Sequence, residues 1–156
     1  MKDLKRARWM LWLFSIFKIP LIGFVRPRLI ELSDESMVIR IPLRRRTRNH
    51  LGSMYFGALA IGADLAGAFQ AFYVADKRKT KLSIVFKDFH AEFLKRPESD
   101  VYFVSEAGKQ IEGMIDKTLE SRERVTESIK IRAIINYGKN QEVVAEFDLG
   151  LSVKAK

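Results

Sequence analysis

Residues 53–74, SMYFGALAIGADLAGAFQAFYV, leave few architectures open to this chain. Met54, Ala58, Ile61, Leu65, Phe69 and Phe72 recur at three- and four-residue steps, which predicts one long helix with a bulky stripe that must be buried. The neighbouring stripe, Gly57, Ala60, Asp64, Gly67, Ala68 and Ala71, is tiny everywhere except at Asp64. A glycine inside a helix costs about 1 kcal/mol relative to alanine. Gly52, Gly57, Gly62 and Gly67 are therefore not there for helix propensity; small residues let a backbone or a ligand come close. The helix is expected to have one packing face and one approach face, with its acid on the approach face. A charge in such surroundings neutralises or finds a partner, so Asp64 needs a reason to be there.

The rest of the chain supplies strands. Residues 28–33 and 37–43 flank the polar turn Asp34-Glu35-Ser36 and read as a hairpin. Residues 81–93 read as a long strand, 100–105 as a short one and 107–119 as a small helix. Residues 124–137 alternate, with Ile129, Ile131, Ala133 and Ile135 on one side. Residues 143–153 alternate likewise, with Val143, Ala145, Phe147, Leu149, Leu151 and Val153 facing in. An antiparallel sheet of about six strands has to bury its apolar face, and the central helix is the one element large enough to fill it. The expected fold class is α+β: a sheet wrapped around a long helix in a single domain over 1–156, with a basic, aromatic N-terminal helix in 1–27 and the core in 28–156.

Charge is uneven. Residues 1–50 hold 12 Lys/Arg against 4 Asp/Glu, whereas residues 51–156 hold 16 against 15. The basic surface thus belongs to the N-terminal third, where anionic lipid or a phosphorylated ligand are candidate partners. No helix-turn-helix, zinc-finger or ribonucleoprotein signature is present, so no nucleic-acid partner is expected. With no cysteine and two histidines, no disulfide and no metal site is expected. A chain without cysteine fits a reducing cytoplasm. The segment KDLKRARWMLWLFSIFKIPLIGFVRPR contains an apolar run from Trp9 to Val25, broken by Lys18 and Pro20, that is short for a span of about 20 residues. It ends in FVRPR, which is not a signal-peptidase site. Three readings stand for a helix over about 4–18: packing its Trp and Phe on the body or a partner subunit, lying on an anionic membrane surface, or anchoring in the bilayer.

The stretch Asn49, Gly52, Tyr55, Phe56, Gly57, with Asp64 following, resembles the start of the central helix in thioesterase-like proteins of the hotdog fold. Over nearly the whole chain, including FKDFHAEFLKRP, it is similar to a bacterial domain-of-unknown-function family of that superfamily. The related phenylacetyl-CoA thioesterase-like proteins read N-x-x-x-x-x-H-G-G here, with an Asp on the helix. Asn49, Gly57 and Asp64 match the Asn, the second Gly and the acid; Tyr55 and Phe56 replace the His and the first Gly.

That resemblance implies an acyl-CoA or acyl-carrier-protein thioester as substrate, a homodimer or dimer of dimers, and no cofactor beyond the coenzyme A of the substrate. It implies Asp64 as base or nucleophile, the Gly57 N–H as donor to the thioester carbonyl, and Asn49 as an orienting residue. Substrate contacts are expected from His50, Tyr55, Phe56, Ala60, Gly67 and Ala68. Asn49 also fits a helix N-cap. Arg44, Arg45, Arg46 and Arg48 are candidates for the coenzyme A phosphates, with the run Lys77-Arg78-Lys79-Lys81 a second choice. Two alternatives stay open: a non-catalytic acyl or lipid binder docked on membrane, and an enoyl-thioester hydratase or dehydratase using His50 with Asp64.

Overall fold

Six strands join in one antiparallel sheet in the computed structural model, which describes residues 2–156. They are β1 (Arg28–Leu32), β2 (Met37–Ile41), β3 (Leu82–Phe93), β4 (Val101–Ser105), β5 (Val125–Ile135) and β6 (Glu142–Ala155), in the order β1-β2-β4-β5-β6-β3. Four helices accompany them among the described residues: α1 (Lys2–Leu13), α2 (Pro20–Phe24), α3 (Phe56–Lys77) and α4 (Gly108–Ser121). The sheet wraps α3 as the apolar alternation requires, and Phe103, Ile129, Ile131, Phe147 and Leu149 meet it with almost no exposure. This is the hotdog architecture.

Gly62 and Gly67 of α3 turn out to serve the sheet. A Cβ on Gly62 would lie 2.2 Å from the Phe103 ring, and one on Gly67 would lie 2.9 Å from Ile129. Gly67 and Ala71 are buried, so they leave the approach face to which their spacing assigned them. The helix also starts three residues later than its periodicity suggests, because Met54 pairs with Arg48 in an isolated bridge and Tyr55 is in extended backbone.

Two bulges alter the alternation. Between β5 and β6 the register slips at Ala133/Ile134, so Val144 enters the core. Val143 moves to the outer face with Val38, Val104 and Ile134. In β3 the register slips between Phe86 and Phe89. Inside α3, the buried Gln70 donates to the Glu35 carbonyl at 3.1 Å and accepts from the Ser105 hydroxyl at 2.5 Å. These bonds pin the helix to the β1–β2 turn and to the end of β4.

The N-terminal segment is helical to Lys18, as its pattern suggests, but its last turn is not α-helical. At Leu13, itself in helical backbone, α1 widens into a π-helical turn (Phe14–Lys18), where the Ile19 N–H reaches the Phe14 carbonyl at 3.1 Å, and the chain then leaves the helix at Ile19 and reverses into α2. Ala7 and Leu11 pack on the body, with Phe14 against Phe72 at 5.8 Å between ring centroids. Trp9 and Trp12 lie on its outer side and stay more than half exposed.

Candidate active site

The least covered line along α3 runs through Gly57, Ala60, Ile61, Asp64, Ala68 and Phe72. Asp64 opens onto a cavity of about 230 Å³ whose other lining residues are all apolar, among them Phe14, Ile19, Ile22, Ala68 and Phe86. Desolvation raises the Asp64 pKa, and no charge or hydrogen bond among the described residues offsets it. A carboxylate held this way is a stronger base than a solvated one. The roof of the cavity comes from the N-terminal segment, which nothing in the local pattern around Asp64 announces.

The helix start lies two turns away. Tyr55 is the N-cap residue in extended backbone, and its carbonyl accepts the N–H groups of Ala58 (2.9 Å) and Leu59 (3.2 Å). Among the described residues the N–H groups of Phe56 and Gly57 have no acceptor, and they lie at the positive end of the helix, where developing negative charge is favoured. Tyr55 and Phe56 are both exposed, their rings in contact at 4.8 Å; Phe56 continues to Phe93 at 6.4 Å and Phe93 to Phe147 at 6.1 Å.

Asn49 is not the helix cap, which is Tyr55; its side chain is engaged in the preceding turn. Its side-chain oxygen accepts from the Leu51 N–H (2.9 Å) and the Ser53 N–H (3.1 Å), and its amide nitrogen donates to the Ser53 hydroxyl (3.0 Å). It builds the 49–53 turn that delivers the chain to Tyr55. Thr47 does the same one step earlier, donating to the Pro42 carbonyl at 2.7 Å and accepting from the Arg44 N–H at 2.9 Å. His50 is exposed on the turn and does not line the cavity of Asp64, so within one chain these two residues are not brought together.

Arg44, Arg45, Arg46 and Arg48 are exposed on the loop that leads to α3. Arg46 lies over the Phe24 ring at 5.1 Å and donates to the Phe24 carbonyl at 3.2 Å, which ties this loop to α2. The second cationic run is partly engaged: Lys77 pairs with Asp34 and Arg78 with Asp116. Among the described residues no cluster of three His, Asp or Glu is placed to hold a metal ion.

The long helix wrapped by a six-stranded antiparallel sheet defines a protein of the hotdog fold, with a half-buried acid on the open line of that helix. Comparison supports that fold. The chain belongs to the family described as a domain of unknown function, DUF4442, whose model matches residues 7–153. A protein of unknown function from Chlorobaculum tepidum aligns with TM-score 0.84 at 10% identity over 100% of both chains. A Pseudomonas aeruginosa protein of unknown function aligns with TM-score 0.79 at 22% identity, covering 97% of this chain and 95% of the other. A mutant thioesterase from Pseudomonas aeruginosa aligns with TM-score 0.68 at 20% identity, covering 99% and 95%. No curated protein matches the sequence.

Proposed function

We propose that the protein hydrolyses an acyl thioester at a site shared by two copies of the chain. The observation that carries this is Asp64: an unpartnered carboxylate with a raised pKa, bordering an apolar cavity. A water attacks the thioester carbon and gives its proton to Asp64. The C–S bond breaks, and the leaving thiolate takes that proton, so a thioester and water become an acid and a thiol. The free N–H of Gly57 would hold the carbonyl oxygen as it gains charge.

In this reading two copies of the chain share the work. Gly57 and Asp64 are seven residues apart, which is about 10 Å along a helix axis. A base and an oxyanion donor must both lie about 3 Å from the reacting atoms. The Gly57 of one copy therefore works with the Asp64 of another. The surface for a second copy is the free edge strand β3 beside the exposed rings of Phe56, Phe89 and Phe93. Unpaired edge strands with apolar side chains seek a partner strand. The exposed Arg44–Arg48 loop leads to the helix start and suits the phosphates of a coenzyme A carrier.

The test is free-thiol release from a panel of acyl-CoAs of rising chain length, with Asp64→Asn beside the wild type. Turnover that collapses in the variant supports the proposal. Saturable acyl-CoA binding without turnover at any length would assign a binding protein, a role to which the Tyr55-Phe56 pair in place of His-Gly is suited.

A further inference from the structure

The outer side of the N-terminal hairpin carries two chemistries that share one face. Trp9, Trp12, Phe17, Leu21 and Phe24 are each more than half exposed, Phe17 at 72%. Lys5, Trp9, Trp12 and Ile16 fall at steps of four, three and four, so they form one outward stripe along α1 and the turn that follows. The hairpin holds these side chains out while its inner side is fixed. Ala7, Leu11 and Ile22 are buried, and α2 crosses the π-helical turn so closely that a Cβ on Gly23 would lie 2.6 Å from the Ser15 carbonyl oxygen.

Cations line the same face. A hollow of about 710 Å³ opens between the hairpin and β1; Trp12 and Ile16 share it with Arg8, Arg26, Arg28 and Arg40, and no carboxylate lines it. Arg40 is paired with Asp100, and the Arg8 Nε–H donates to the Leu29 carbonyl at 2.8 Å. Arg26 and Arg28 have no acidic partner among the described residues. The buried Ser15 hydroxyl also borders the hollow and has no hydrogen-bond partner. Arg46, stacked on Phe24, extends the cationic rim on the α2 side.

We infer that this face docks on a bilayer containing anionic phospholipid, with the aromatic side chains in the interfacial layer and a lipid phosphate at the arginine-lined hollow. Apolar contact alone would serve any bilayer. The unpaired arginines select the anionic one, because juxtamembrane cations are drawn to a negative surface and aromatic side chains settle at headgroup depth. The inner side of the same segment, through Phe14, Ile19 and Ile22, roofs the Asp64 cavity, so docking would set that cavity close beneath the membrane surface.

Trp9 and Trp12 are the two tryptophans of the chain, so its tryptophan emission reports this face. The full chain is mixed with vesicles of phosphatidylcholine alone and of phosphatidylcholine with phosphatidylglycerol in equal parts. Co-sedimentation and a blue shift are expected with the mixed vesicles and not with phosphatidylcholine, and both should weaken as salt rises. Neutralising one cation should weaken binding about fivefold, so R26Q with R28Q should weaken it by about 25-fold. F17S removes an exposed apolar contact without touching the core and should also weaken it.

Equal binding to both vesicle types, or none to the mixed vesicles at low salt, would overturn the inference. So would a blue shift that grows with protein concentration without vesicles and disappears in F17S, since the face would then be covered by a second copy. None of these readouts depends on thioester hydrolysis.

Discussion

Replacing Asp64 by Asn should raise stability while it removes turnover. The carboxylate has no partner, and desolvation raises its pKa in the folded chain. In the unfolded chain it titrates near the ordinary aspartate value of about 3.9. Between that value and the folded pKa the folded state holds more protons, so stability falls as pH rises through this window. Asn carries no charge at any pH. The variant should therefore melt above wild type at pH 7, with the difference shrinking as pH falls toward about 3.9. Stabilising replacements at functional positions are worth about 0.5–2 kcal/mol, and a domain of this size converts each kcal/mol into roughly 2–4 °C of Tm. Asp64 is only partly covered in one chain, which places the expected rise at a few degrees. Removing a general base lowers the rate about 10²–10⁴-fold, or roughly 3–5 kcal/mol of transition-state stabilisation. Melting curves from pH 4 to 8 beside thiol-release rates measure both effects. A variant that melts below wild type at pH 7 would refute the reasoning, because Asp64 would then be holding the fold together.

Further outcomes follow from the same geometry. Gly108→Ala would place a Cβ 2.0 Å from the Asp34 carbonyl oxygen, whereas Gly113, in the same helix, has nothing within 4 Å. Denaturant titration should show the first losing about 1–3 kcal/mol and the second gaining up to about 1 kcal/mol. Asn49→Ala leaves two backbone N–H groups of the turn without their acceptor and should lose about 1–2 kcal/mol. Asn49→Asp keeps that acceptor and should recover most of the stability; activity that stayed low in a stable Asn49→Asp would return the side chain to the chemistry. Phe56→Glu puts an acid in the first turn of α3, where the helix dipole favours it by about 0.3–1 kcal/mol, while charging the surface proposed for the second copy. Sedimentation should then show a folded monomer with no turnover, and a persisting dimer would place the interface elsewhere.

What the sequence determined was periodic. Alternation in residues 124–153 and three-to-four spacing in 53–74 dictate a sheet that covers a helix, because each pattern places apolar groups on one side and each side needs the other. Asp64 stood out for the same reason: one charge in an apolar run cannot be there by propensity. Deviations from period were not legible. The bulge that exchanges Val143 for Val144 depends on pairing with β5, and the packing role of Gly62 and Gly67 depends on Phe103 and Ile129, which arrive from distant strands. Asn49 as a turn builder and Asn49 as a helix cap look alike in one dimension, since either way the side chain accepts from nearby N–H groups. Composition could not say which apolar side chains of the N-terminal segment point inward. Only the tertiary structure decided that Phe14, Ile19 and Ile22 border the Asp64 cavity while Trp9, Trp12 and Phe17 face out. The π-helical turn and the close crossing at Gly23 set those directions, and both arise from contacts rather than from local preference.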